Sequence, residues 1–420
     1  MRDLLFLAHR IPYPPDKGDK IRSWNFLSYL SERYRVHLGC FVDDPHDWRH
    51  RHELMERCTS CYFARLRPFT AALNSAVGLI DGAALTLRRY RSPGLREWVD
   101  GLFARRPPDR VLVFSSALAS YVMAPRHGVT RRIIDFVDID SDKWRQYATT
   151  KSWPASWVYR RESRKLLDFE RRVAAAFDVS LFVSANEAAL FRTIAPESAH
   201  KVFHVGNGVD SEYFSPERRY EDPFGGQEDI LVFTGAMDYW PNVDAVRWIA
   251  NYALPRIRDK VPAARLVIVG SNPSSAVRRL ARLPGVTVTG RVADVRPYLA
   301  HAAAVVVPLR VSRGVQNKVL EAMAMARSVI ATPCALEGIT AEPGHDVVMA
   351  TADDAFVAET TEILLGNKPH AIGTNARARV LDDYRWSASL ARLEALIEGA
   401  VADEDSARTG SAQLRAVGKS

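Results

Sequence analysis

Short apolar runs alternate with amphipathic stretches along most of the chain. In the first half the runs fall at 4–8, 36–42, 111–114, 132–137, 179–183 and 201–205. Runs this short, bounded by polar or turn-forming residues, read as strands buried on both faces. Between them, 20–33, 94–104 and 157–177 place apolar residues at helical spacing. Such alternation predicts parallel βα units. Residues 207–229 interrupt it with an aperiodic segment rich in Gly, Pro, Asp and Glu, which reads as a linker. The pattern then restarts, with strands at 230–234, 264–270, 286–289, 303–308, 328–332 and 346–350 and helices at 242–258, 294–301, 316–326 and 353–365. A last helical pattern, 386–401, follows the completed second set, and the small, charged residues 403–420 read as a disordered tail. The expected fold class is α/β, with two successive doubly wound domains at 1–205 and 206–385. Open α/β sheets bind ligands beyond the carboxyl ends of their strands, so two in tandem offer two binding edges across a cleft.

Composition narrows this picture in three ways. Hydrophobic residues make up 47% of the 420 and charged residues 25%, which excludes a disordered chain and allows two cores without disulfides. Four scattered cysteines (Cys40, Cys58, Cys61 and Cys334) favour a reducing cytoplasm. Charge is uneven: residues 1–210 hold 33 basic against 24 acidic side chains, whereas the remainder is nearly balanced. The basic half suits an anionic partner or a solubilising surface. Trp144, Trp153, Trp157 and Tyr159 interleave with basic residues there, but no nucleic-acid module accompanies them, so no nucleic acid is expected. The first ten residues do not form a signal peptide. Residues 69–87, broken by Asn74 and Asp81, do not read as a spanning helix. The expected location is cytoplasmic, including the inner face of the membrane.

Three segments carry candidate chemistry. After the first strand, His9 to Lys20 forms a proline-stiffened loop in which Gly18 allows positive φ and Asp19 is placed to cap a helix beginning near Lys20. With Lys17 and Lys20 nearby, that helix start suits a phosphate; the alternative is a rigid strand-to-helix turn. In 132–148, Asp135, Asp138, Asp140 and Asp142 lie at and beyond a strand end, where a carboxylate serves as a general base, binds hydroxyls or holds a hard cation. Helix capping is the plain alternative. In 305–332, a loop carrying Arg310, Arg313 and Gly314 leads into a helix starting near Gln316. Lys318 and Glu321 share a face of its first turns, so Asn317, Lys318 and the helix start can receive a diphosphate while Glu321 accepts two hydroxyls. The alternative is a surface ion pair. Cys58 and Cys61, with His50 and His52 upstream, resemble a zinc site only faintly, and a strand cysteine is the expectation.

The ordered motifs NGVDxxxF (207–214), TGxMDYWPNVDAV (234–246), LVIVG (266–270), VTVTGRVADVRPYLAHAAAVVVPL (286–309) and KVLEAMAMARSVIAT (318–332) resemble the family-four retaining glycosyltransferases of GT-B fold. With AHRIPYPPDKGDKIRSW and DFVDIDSDKWRQYA, the chain looks like the sugar transferases of PEP-CTERM/exosortase exopolysaccharide systems. The resemblance implies two Rossmann-like domains facing a cleft: an acceptor domain to 205 and a nucleotide-sugar domain over 206–385. Helix 386–401 would cross back to the first. It implies retention without a protein nucleophile, no metal and no cofactor, and a glycan or lipid-linked acceptor. Glu321 matches the second Glu of the family's Glu-x7-Glu motif, but Arg313 stands where the first belongs. The family's Arg and Lys pair is missing after the 230–234 strand, and Lys318 is the substitute. The donor set is then Gly235, Arg310, Arg313, Gly314, Asn317, Lys318 and Glu321, with Lys318, Asp138 and Asp140 as catalytic candidates and Lys17, Gly18 and Asp19 on the acceptor side. Two other readings share the pattern: a nucleotide-sugar epimerase or hydrolase of this fold, and a non-catalytic two-lobed sugar-binding protein.

Overall fold

The computed structural model describes residues 1–15, 17–66, 84–124, 130–149, 152–311, 314–367 and 371–400. The first sheet comprises β1 (Asp3–Ala8), β2 (Arg35–Val42), β3 (Ser60–Arg65), β4 (Arg110–Phe114), β5 (Arg131–Val137), β6 (Val179–Phe182) and β7 (Val202–His204). Its order is β3-β2-β1-β4-β5-β6-β7 and every pairing is parallel. The second comprises β8 (Ile230–Thr234), β9 (Arg265–Val269), β10 (Val286–Gly290), β11 (Ala304–Val307), β12 (Val329–Ala331) and β13 (Val348–Met349), in the parallel order β10-β9-β8-β11-β12-β13. These are two doubly wound Rossmann-like sheets. The winding direction reverses between β1 and β4 and again between β8 and β11, the switch points at which such sheets bind ligands. Helices cover both faces of each sheet, which is why β1 and β8 are apolar at nearly every position.

Two crossings join the domains, and they lie side by side. Val209 donates its N–H to Tyr384 O at 2.8 Å and bridges Arg385. Gly208 lies so close to Trp386 that an added Cβ would sit 2.7 Å from its backbone nitrogen. The second crossing leaves a helix that the sequence pattern did not indicate, Ala371–Asp383, which buries Ile372, Ala376 and Val380. Beyond the crossing, helix Trp386–Glu398 packs Trp386, Leu390, Leu393, Leu396 and Ile397 against Leu4, Phe6, Phe26 and Leu27 of the first domain. Each such side chain contributes about 1.5–3 kcal/mol when fully buried. Glu398 ties the end of this helix to Tyr34, Arg2 and Arg110. Among the described residues no helix is long and apolar enough to cross a membrane. The 69–87 segment falls mainly outside the described residues, as do Arg313 and the 403–420 tail.

Candidate active site

The carboxyl ends of β8 and β9 are stripped to backbone. Gly235 follows β8 with φ +154, and an added Cβ there would lie 2.7 Å from Asn242 Nδ2 and 3.1 Å from Lys318 Nζ. A Cβ on Gly270, after β9, would lie 1.6 Å from Gly235 O. Only glycine fits either place. Helix Asn317–Ala324 opens beside them, with Gln316 at its N-cap and no side-chain cap bond. Lys318 Nζ donates to Asn242 Oδ1 at 2.5 Å and sits 4.6 Å from the Phe233 ring centroid. Burial pulls Lys318 down to about 7, with Glu321 opposing the shift. Burial likewise pushes Glu321 up to about 7, against the pull of Lys318. Both side chains are half-buried, so this is not a solvated surface ion pair. An ammonium poised near neutrality at a helix start is suited to meet an incoming polyanion.

On the facing domain, helix Gly18–Ser31 begins two residues earlier than the pattern suggested, with Lys17 at the N-cap. Asp19 is not the cap residue. It lies in the first turn, where it receives Arg10 Nη1 at 2.5 Å and lies 3.2 Å from His9 Nε2. Burial works to raise its pKa, but the His9 hydrogen bond and the Arg10 charge outweigh that and hold it well below the usual carboxylate range. Lys20 is no phosphate ligand either: it is 1% exposed and pairs with Asp47 at 2.8 Å, because a helical step of three carries it inward from Lys17. Gly18 remains exposed, and a Cβ there would lie 3.5 Å from Asn317 Nδ2. The starts of the two helices thus face each other.

The four aspartates after β5 separate by role. Asp135 is fully buried and paired with Arg22, so it is no substrate group. Asp142 receives Arg145 Nε at 2.6 Å. Asp138 and Asp140 share the ammonium of Lys143, at 3.2 and 3.5 Å, and their charges raise it well above its ordinary value despite burial. Asp138 follows Val137, whose φ of +69 is strained for a β-branched residue. The bend turns Asp138 toward the loop that precedes helix Asn317–Ala324: a Cβ on Gly314 would lie 2.2 Å from its Oδ1, which is buried and has no hydrogen-bond partner among the described residues. Nearby, Tyr147 packs edge-on against Trp240 at 5.6 Å, so this rim also spans the cleft. Arg310 leans on Trp248, 5.4 Å from its ring centroid, with Asp353 at 3.9 Å. Cys61 lies in β3 and its thiol meets Leu54 O at 3.7 Å. Asn242 and Lys143 stand out only in three dimensions, although both lie within the motifs WPNVDAV and DIDSDKW.

Residues 228–367 match the family model described as Glycosyl transferases group 1. The chain is 28% identical over 274 residues to a GDP-mannose-dependent alpha-(1-6)-phosphatidylinositol monomannoside mannosyltransferase of Mycolicibacterium smegmatis, covering 60% of this chain and 69% of the relative. Its fold is similar to that of Anabaena Alr3699/HepE in complex with UDP and glucose, with a TM-score of 0.65 at 15% identity over 95% of this chain and all of the other. It is also similar to sucrose-phosphate synthase from Thermosynechococcus elongatus, with a TM-score of 0.67 at 17% identity over 95% and 99% of the two chains.

Proposed function

We propose that the chain is a glycosyltransferase of group 1 type that uses a nucleotide-sugar donor and transfers the sugar with retention to a glycan or lipid-linked saccharide in exopolysaccharide assembly. The observation that carries this reading is the meeting of two helix starts across the cleft, with Lys318 of the donor domain beside Gly235 and Asn317 opposite Gly18. In this reading the diphosphate lies against Asn317 and Lys318, and Glu321 accepts the ribose hydroxyls. Charge developing on the leaving nucleotide is met by the ammonium of Lys318. The donor's own phosphate oxygen takes the acceptor proton, so no protein nucleophile enters.

Asp138 and Asp140, held by Lys143, form the acceptor rim of the same cleft. The mannosyltransferase relative is named for a phosphatidylinositol-linked acceptor, which supports a lipid-linked one here. The N-terminal motif AHRIPYPPDKGDKIRSW supports the exopolysaccharide role. A peripheral membrane location fits a surface on helix Ala155–Ala176, where Trp157 is 52% exposed beside exposed Arg160 and Arg164, with Trp153 81% exposed just before it.

The deciding experiment incubates the protein with UDP-, GDP- and TDP-sugars, with and without lipid-linked saccharide acceptors, and reads the product anomer by NMR. Transfer that depends on the acceptor and keeps the donor's anomeric configuration is expected. Inverted product would remove retention, and epimer or free sugar formed equally without acceptor would remove transfer.

A further inference from the structure

A continuous chain of hydrogen bonds runs from the core of the first domain to the start of the donor helix. Asp135 and Arg22 are both 0% exposed and meet through two N–H···O bonds, at 2.7 and 3.2 Å. Arg22 Nη1 then donates to Val205 O at 2.8 Å and to Asn207 Oδ1 at 3.0 Å. Asn207, itself buried, donates Nδ2 to Asn317 Oδ1 at 3.1 Å across the domain boundary. The other end of the Asn317 amide, Nδ2, is buried against Gly18 and has no hydrogen-bond partner among the described residues.

The polarity of every link is dictated by its first member. A guanidinium has donors and no acceptor, so the atom of Asn207 that meets it must be the oxygen. That leaves the Asn207 NH2 for Asn317, which must offer its own oxygen in return. The Asn317 NH2 is thereby left facing the cleft. A freely turning amide presents either end, and the two ends have opposite meanings for an anion: the NH2 donates to a phosphate oxygen and the carbonyl repels it. Lys318 next in sequence and the helix start favour an anion at this place.

We propose that Asp135, Arg22 and Asn207 are positioning residues that hold the Asn317 amide with its NH2 toward the cleft, where it donates to a diphosphate oxygen of the nucleotide-sugar donor. This rests on the reading of the cleft as the donor site. Asn207 touches no ligand in this scheme. Its effect passes entirely through the orientation of Asn317.

The test is calorimetric titration of UDP and of GDP into the full-length protein at pH 8, with Asn207→Asp, Asn317→Ala, the double variant and Lys318→Ala. The carboxylate that Asn207→Asp introduces keeps the size of the side chain and the bond from Arg22. It has no proton for Asn317, whose amide then turns its NH2 inward and its carbonyl to the cleft. Affinity for the better-binding nucleotide should fall about tenfold or more in Asn207→Asp, as for loss of a hydrogen bond to a charged group. Affinity for the matching nucleoside should not change. In the Asn317→Ala background the same substitution should cost nothing further.

Unchanged diphosphate affinity in Asn207→Asp, or an equal loss with and without Asn317, would overturn the proposal. Should Asn207→Asp melt early, Asn317→Asp replaces it: Asn207 still donates to one carboxylate oxygen while the other faces the phosphate, and the same tenfold loss is expected, with no loss overturning the proposal. If Lys318→Ala weakens binding and the relay variants do not, the relay alone fails. If Lys318→Ala has no effect, or the wild type binds neither nucleotide, the donor-site reading fails and takes the relay with it.

Discussion

Lys318 gathers three separate properties: a glycine floor beside it, a neutral amide as its hydrogen-bond acceptor, and burial that holds it near neutrality. Its charge is worth most when the leaving nucleotide develops its own. Lys318→Ala should therefore lower kcat by roughly two orders of magnitude, about 2.7 kcal/mol or more. In the proposed reading Glu321 accepts ribose hydroxyls that do not change during the reaction, so Glu321→Gln should raise the donor KM with little change in kcat. Steady-state kinetics with a matched donor checks both, and a wild-type kcat in Lys318→Ala would place the site elsewhere. Proton linkage gives an independent readout. With burial pulling Lys318 down to about 7, part of its population is neutral at pH 8. A bound diphosphate raises the lysine's pKa, so binding should take up protons at this pH, measured as a dependence of calorimetric heat on buffer ionisation enthalpy. The uptake should be smaller in Lys318→Ala, where only Glu321 can still take up a proton.

At the scale of elements, the segment from Val137 to Ser141 is held in a strained turn by two buried glutamates. Glu187 receives Ile139 N at 2.9 Å, and Glu170 receives both Ser141 N and Ser141 Oγ. Burial, with the charge of Asp140 adding to it, pushes Glu170 up to about 8. The folded protein then binds more protons here than the unfolded chain between the ordinary glutamate value and about 8, so this group's stabilising contribution declines as pH rises through that window. Glu170→Gln, which stays neutral, should flatten the fall in melting temperature between pH 5 and 8 relative to wild type. Parallel slopes for the two proteins would show that Glu170 is ionised throughout.

For the whole molecule, the basic surplus of the first 210 residues and the exposed Trp153 and Trp157 lie on the first domain. Each basic residue close to an anionic leaflet contributes about 1 kcal/mol, and the indoles suit the headgroup region. The protein should float with anionic vesicles at low salt and be released as salt is raised. Trp153→Ala combined with Trp157→Ala should weaken flotation while leaving transfer to a water-soluble acceptor intact. Equal recovery with neutral and anionic vesicles at every salt concentration would remove the membrane reading.

Periodicity is a local property, and it sufficed for the strands other than β3, for the two doubly wound sheets and for the late helix at 386. The shared helical face of Lys318 and Glu321 was legible in the same way, since their spacing lies within one helical turn. The helix at 371–383 escaped because its buried residues are mostly small, with Gly373 pressed against Ala326 O. What the chain order left open was which of several like residues faces inward. Lys17 and Lys20 look alike in sequence, as do Asp135 and Asp138. Tertiary structure decided between them by supplying Asp47 to Lys20 and Arg22 to Asp135, partners 27 and 113 positions away. A buried charge needs such a partner, and no local pattern records where it will be. The polarity of Asn317 is settled in the same way, by a guanidinium in the other domain.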